Sequence, residues 1–322
     1  MKLTRRAMMM AAALAAVALP AAAQDYPTQP VTLVIPFAAG GSTDVVGRII
    51  AERMAQELGQ QVVVENRAGA GGSLGAGTVA RAAPDGYTIL MGTVATHALN
   101  PLILAQSPYD PVKDFAPVSL LIIVPNVLAV NPELPVKTVQ ELIDLAKEKP
   151  GELAYASSGN GTPLHLSGEL FKSMAGVDIE HVPYQGSGPA LTDVIGNQVP
   201  IIFDNLPSAS AHIKSGTLRA LGVTTAERAP SFPDVPTIAE TLPGYETYTW
   251  NALFAPAGTP PEIVAKLNAA ALAAVADPKV AERMDEFSAQ IVGSSPEELA
   301  AHVEAEMAKW KPVVEGANIK AD

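Results

Sequence analysis

Five short stretches put hydroxyls and glycines directly after apolar runs, where a small anion could be held. They are PFAAGGSTD at 36–44, the segment 93–97 after YTILMGT, YASSGNGTPLHL at 155–166, VPYQGSGPAL at 182–191 and IIFDNLPSA at 201–209. In the first, Gly40 and Gly41 let a ligand approach the backbone. Ser42, Thr43 or Asp44 can cap a helix starting near Val45, whose free N–H groups and dipole favour an anion. Asp44 would tolerate a carboxylate better than a phosphate dianion. A plain strand–turn–helix with a good cap gives the same pattern. In the third stretch, Ser157, Ser158 and Thr162 offer hydroxyls, the backbone around Gly159 offers amides, and His165 falls on the first turn of a helix. A lone histidine there is more often structural than a base or a ligand. Tyr184 lies in the fourth loop, and Asp204 and Asn205 end the strand in the fifth.

Other chemistries are harder to assemble. No lysine follows the glycines of 36–44 as a P-loop requires. GAGGSLGAG at 69–77 misses the dinucleotide fingerprint because residue 74 is leucine, and reads as a tight turn before a helix. There is no G-x-S-x-G elbow and no H-E-x-x-H. A triad of Ser157, His165 and Asp204, serving an exported serine hydrolase, can be imagined without local support. The five histidines are scattered, so no metal site and no cofactor is expected.

The elements that would position these loops alternate between strand and helix. VTLVIPF, QVVVEN, YTILMGT, LAYASSG, HVPYQG, VPIIFDN and LRALGVTT read as strands. TDVVGRIIAERMAQELG reads as a helix ended by Gly59. VKTVQELIDLAKEK reads as a helix with Thr138 as N-cap and Glu141 placed for a capping box. LLIIVPNVLAVNP is a long apolar run interrupted by Pro125, and three helices fill the tail. The pattern predicts an α/β fold with mostly parallel sheets, the tail packing back on the first of them. The chain would leave one α/β domain, build a second and return, crossing near 125–132 and 220–226. The expected division is 24–130 with 223–322 as domain 1 and 131–222 as domain 2. All five loops lie at carboxyl ends of strands, where open α/β sheets bind ligands, so they would face a cleft between the domains. Trp310 should pack in its helix, while Trp250 could line the cleft.

The start, MKLTRRAMMMAAALAAVALPAAAQ, has a basic head, an apolar run and small residues at 21–23. It reads as a signal peptide over 1–23, with either Sec or twin-arginine export, and no cysteine follows to carry a lipid. The mature protein is thus expected to be periplasmic and soluble. No cysteine occurs anywhere, which rules out disulfides and thiolate chemistry. The net charge is −12, and losing a basic leader makes it more acidic, which argues against nucleic acid as partner.

At its loops the sequence resembles the Bug-type periplasmic solute-binding proteins, receptors of tripartite tricarboxylate transporters. The matching stretches include YPTQPVTLVIPFAAGGSTDVVGRIIA, VVVENRAGAGGSLGA, PDGYTILMGT, YASSGNGTPLHLSGELF, HVPYQGSGPALTDVIGNQV and WNALFAPAGTPPEIVAKLN, in order along the whole mature chain. The resemblance implies a type II-like Venus flytrap with a two-crossing hinge, a small organic acid as ligand, and the membrane permease subunits of such a transporter as partners. It implies a monomer without enzymatic activity, with a sensor signalling to a membrane kinase as the alternative. It also implies that loops 37–44 and 157–162 grip one carboxylate as two pincers, partly through ordered water. Phe37 would cover the ligand. Gly41, Ser42 and Thr43 would bind from one side, and Ser157, Ser158 and Gly159 from the other. Thr93, His165, Tyr184 and Asp204 would stand near the variable end of the ligand.

Overall fold

The computed structural model describes residues 26–104 and 106–316. The leader expected at 1–23 and its cleavage point lie outside those residues. The first half of the chain forms β1 (Val31–Ile35), α1 (Ser42–Leu58), β2 (Val62–Asn66), α2 (Ser73–Ala80), β3 (Thr88–Thr93), α3 (Asn100–Ile103) and β4 (Phe115–Val130). There follow α4 (Val139–Glu148), β5 (Ala154–Ser157), α5 (Pro163–Ala175), β6 (Glu180–Pro183), α6 (Ser187–Ile195), β7 (Ile201–Asn205), α7 (Leu206–Ser215) and β8 (Arg219–Val223). The tail forms β9 (Tyr248–Pro256), α8 (Pro261–Ala276), α9 (Pro278–Glu286), β10 (Gln290–Ile291) and α10 (Pro296–Gly316).

Local chemistry explains most of these elements. Helix α1 buries Val46, Ile50, Met54 and Leu58, a stripe at helical spacing, and ends at Gly59 in the left-handed region (φ 67°). The alanine-rich α8 turns Leu267, Ala270, Ala271 and Ala274 into the same core, where small side chains let it lie close to α1 and β4. At α4 the Thr138 hydroxyl accepts from Glu141 N at 3.1 Å, as expected. The Glu141 carboxylate, however, accepts from Lys137 N at 2.6 Å, one residue before the cap.

The strands form one connected sheet in the order β2-β1-β3-β9-β4-β7-β5-β6, with β8 and β10 also on β4. The fold is mixed α/β, but the expectation of mostly parallel sheets is corrected. Pairings among β1, β2 and β3, and among β5, β6 and β7, are parallel. Every pairing made by β4 or β9 is antiparallel. Nor does Pro125 interrupt its run. β4 passes straight through it, pairing with β9 from Phe115 to Pro125 and with β7 from Asn126 to Val130. The missing N–H of proline falls where the strand changes partner, the place in a sheet where it is least needed. Two apolar clusters pack against β1, β3, β9 and the first part of β4. Three others surround the second part of β4 with β5, β7 and β8, and take in Phe232, Ile238 and Tyr245 from the loop after β8.

Strand β9, which the sequence did not announce as a strand, sorts its residues by alternation. Tyr248 OH and Trp250 Nε1 donate to the buried Glu306 carboxylate on α10 at 3.0 and 3.2 Å, and Trp310 Nε1 joins them at 3.3 Å. Trp310 packs as expected, whereas Trp250 is fully buried on this side and does not line a cleft. Thr249 and Asn251 face the other way, toward the loops that end β1 and β3. Replacing Glu306 by alanine leaves three donors without their acceptor. Guanidinium unfolding of Glu306→Ala should show a loss of about 3 kcal/mol, and Glu306→Gln, which keeps one acceptor oxygen, a smaller loss.

Candidate functional site

A narrow cavity lies at the carboxyl ends of β1, β3, β5 and β7. Phe37, Gly41, Ser42, Thr43, Thr93 and Thr249 line it from one side, and Ser158, Thr162, Pro163, Leu164, Ser187 and Asn205 from the other. None of these side chains carries a charge. Four helices begin here instead: α1 after its N-cap Gly41, α5 after Thr162, α6 at Ser187 and α7 after its N-cap Asn205. Their free N–H groups and dipoles make the cavity electropositive without any cation.

On the first wall the helix starts earlier than the sequence suggested. Gly41 is the N-cap, and no side chain caps α1. The first intrahelical bond runs from Val45 N to Gly41 O at 2.9 Å, so the amides of Ser42 and Thr43 precede the ladder. Ser42 Oγ and Thr93 Oγ1 are buried with no protein partner, as is Asn251 Oδ1 behind them. Buried polar atoms are rarely left so. Thr93 is held by the π-helical turn Ala95–Leu99 that follows it, because its N–H donates to Thr96 Oγ1 at 2.9 Å. His97 in that turn is fully buried and stacked on Phe254 with centroids 3.6 Å apart. Burial pushes its pKa down to about 3, so it stays neutral.

Asp44 does not touch the cavity. It accepts from Gly40 N at 3.0 Å and Asn66 Nδ2 at 2.9 Å and pairs with Arg48 at 2.9 Å, closing the loop 36–44 from behind. Burial raises its pKa, but the bonds from Arg48, Gly40 and Asn66 outweigh that and hold the carboxyl below its ordinary range.

On the second wall one residue separates use from support. Ser158 lines the cavity, while Ser157 Oγ lies 2.7 Å from His181 Nε2 and accepts from Gly159 N at 3.1 Å. Thr162 lines the cavity and caps α5, accepting from His165 N at 3.3 Å and donating to Gly159 O at 2.8 Å. His165 stays outside. Its Nδ1 accepts from Gly161 N at 3.1 Å, and its ring stacks on His181 at 4.1 Å. Burial, then the neighbouring His165, push His181 down to about 3. Gly159 and Tyr184 line an adjoining crevice with Phe37 and Gly69–Gly72 rather than the main cavity, and Tyr184 OH donates to Asp193 at 2.7 Å. Asp204 is fully buried behind the wall, accepting from Ser187 and from Ser208 Oγ at 2.7 Å. The imagined triad is therefore corrected: Ser157 meets His181 instead of His165, and Asp204 meets neither. Ser187, Asn205, Pro163, Leu164 and Thr249 line the cavity without having been singled out as binding residues. The loops at 182–191 and 201–209 carried a signal for Ser187 and Asn205, and an unseen strand carried none for Thr249.

Residues 46–319 match the TctC model, that of the tripartite tricarboxylate transporter family receptor. The chain belongs to this family. The structure of periplasmic binding protein BugD superposes with a TM-score of 0.90 at 37% identity, covering 92% of this chain and 100% of that one. Rpa4515 of R. palustris with adipate gives 0.89 at 44% identity, covering 92% and 99%. MatC from Rhodopseudomonas palustris with bound malate gives 0.86 at 38% identity, covering 90% and 100%. In this TctC-family chain, no helix among the described residues is long and apolar enough to cross a membrane, and no cluster of side chains there could hold a metal ion.

The two walls touch backbone to backbone at both rims. Ala38 N donates to Gln185 O at 3.0 Å. A Cβ on Gly188 would stand 2.1 Å from Ala39 O, and one on Gly71, where φ is +59°, 2.4 Å from Asn160 O. Gly188→Ala should therefore favour α6 as a helix yet wedge the walls apart. Calorimetric affinity for a ligand should drop about tenfold if the touching state falls to a tenth of its population. X-ray scattering should show a more open molecule, and unchanged affinity would contradict this.

Burial also lifts Asp204 to about 6, against bonds from Ser187, Ser208 and the Asn205 amide that act to lower it. The folded chain then holds this proton more tightly than the unfolded one, whose carboxyl titrates near 3.8. The contribution stabilises below pH 4 and is lost as pH rises through 6. Between pH 4 and 7 the unfolding free energy of the native protein should fall by about 3 kcal/mol relative to Asp204→Asn.

Proposed function

We propose that this chain is a periplasmic receptor that closes on a small organic carboxylate and delivers it to the membrane permease of a tripartite tricarboxylate-type transporter. The observation that carries the reading is the uncharged cavity in which four helix N-termini converge and the hydroxyls of Ser42 and Thr93 lack partners. A carboxylate satisfies both features at once. Its charge is met by several partial charges, and its lone pairs accept from hydroxyls and amides. Phe37, only 8% exposed, would roof the ligand. The adipate and malate held by the two relatives support a carboxylate of modest size.

The reading includes a division of the chain into two units. One crossing falls at Pro125, where β4 leaves β9. The return falls at Thr247, whose N–H donates to Thr224 O at 3.0 Å, because residues as late as Tyr245 still pack in the second unit's core. This reading therefore carries the second unit past the expected 222, as far as Thr247. It also includes export by the leader, action as a monomer, and binding without turnover: the serine that meets a histidine, Ser157, does not line the cavity.

Thermal denaturation with a panel of mono-, di- and tricarboxylates tests the receptor role. A ligand at a hundred times its dissociation constant adds about 2.7 kcal/mol, which raises Tm by several degrees. A panel that leaves Tm unchanged and shows no heat of binding would sink the proposal.

A further inference from the structure

We propose that Ser187 accepts a hydrogen bond from the ligand, with Asp204 as the positioning residue behind it, so that the preferred ligand is a carboxylate bearing a hydroxyl or ammonium donor. This rests on the receptor reading and narrows it. Ser187 lines the cavity and is 4% exposed. A serine hydroxyl has one proton, and here it is committed to Asp204 Oδ1. The other carboxylate oxygen takes the Ser208 hydroxyl at 2.7 Å. Toward the cavity the Ser187 hydroxyl therefore offers only lone pairs, with an anion behind them. Among the described residues no lysine, arginine or histidine forms an ion pair with Asp204.

A buried carboxylate without a cation, placed beside a site built for anions, works against that site unless something there donates toward it. Two hydroxyls across from Ser187 have the reverse sense. Ser42 Oγ and Thr93 Oγ1 still have their protons to give. The cavity thus sets donor hydroxyls at Ser42 and Thr93 across from an acceptor hydroxyl at Ser187, and this arrangement orients a two-ended ligand. The carboxylate sits against Ser42 and Thr93, and the donor group points at Ser187. A second ionised carboxylate at Ser187 would meet lone pairs backed by negative charge.

Titration calorimetry on the mature chain with matched acids tests this: L-malate and L-aspartate against succinate, and 3-hydroxybenzoate against benzoate. The donor-bearing member of at least one set should bind about tenfold tighter or more, the value of a hydrogen bond to a charge-backed acceptor. Ser187→Ala should bring the members of that set to within about twofold of each other by weakening only the donor-bearing one. Asp204→Asn, which removes the charge behind Ser187 and leaves one acceptor oxygen for the protons of Ser187 and Ser208, should narrow the ratio by improving the donor-free acid. A merely structural Asp204 would weaken all the acids alike. Equal binding within every set in the native protein, or a ratio that survives Ser187→Ala, overturns the inference and leaves the receptor reading standing. Failure of every acid to bind overturns both.

Discussion

The structure hangs on one strand that serves two sets of neighbours. β4 pairs with β9 until Pro125 and with β7 from Asn126 onward. Everything that lines the cavity is placed relative to one or other half of it. Just past the change of partner the interior turns polar. Asn126 Nδ2 lies 3.4 Å from both Ser167 Oγ and Thr247 Oγ1, Ser167 Oγ lies 2.6 Å from Thr247 Oγ1, and Asn205 donates to Asn126 Oδ1. Thr224 Oγ1 donates to Thr247 O at 2.7 Å. An apolar junction would hold through area alone and tolerate slippage, whereas a bonded network fixes the register of both passages of the chain. Asn205 belongs to this network and to the cavity wall, so the junction and the site share a residue.

The same economy governs charge. The protein is strongly acidic, yet the cavity suits an anion, because the relevant field comes from helix termini within a few ångströms and not from distant surface charge. The two aspartates beside the cavity are each withdrawn from it, in opposite ways. Asp44 has Arg48 and two further donors, and these hold it ionised. Asp204 has hydroxyl and amide donors but no cation, and burial lifts it toward neutrality. The first locks a loop. The second sets the direction of a serine proton.

What could be read from the sequence follows the range of the interactions involved. The helix 42–58 and its Gly59 stop, the cap at Thr138 and the hydroxyl-rich loops at strand ends are specified by neighbours in the chain, and they were legible. β9 was not, because YTWNALFAP is nearly all buried and lacks the alternation that marks a half-exposed strand. The continuity of β4 through Pro125 was hidden for the same kind of reason: a proline reads as an end unless one knows that its partner strand changes there. Within the loops the residue types were right and the directions were not. Ser157 and Ser158 are chemically identical, but the first is turned to His181 and the second to the cavity. Asp204 and Asn205 divide likewise. Side-chain direction at the end of a strand depends on pleat and register, which a single sequence does not display.

These directions bear on how such a site can change its ligand. A grip made of backbone amides and helix termini depends on the path of the chain and not on the identity of the side chains, so substitution leaves it intact as long as the loops keep their shape. Discrimination must then come from the few side chains whose hydrogen-bonding sense is fixed from behind. Ser42 and Thr93 have no such partner and can follow whatever acceptor is presented. Ser187 cannot, because Asp204 holds its proton. A single change at Ser187 or Asp204 would alter the hydrogen-bonding sense at one point of the wall without moving the backbone around the cavity. The fold thereby separates the capture of an acid from the choice among acids, and places the choice on a pair of residues of which only one is visible from the cavity.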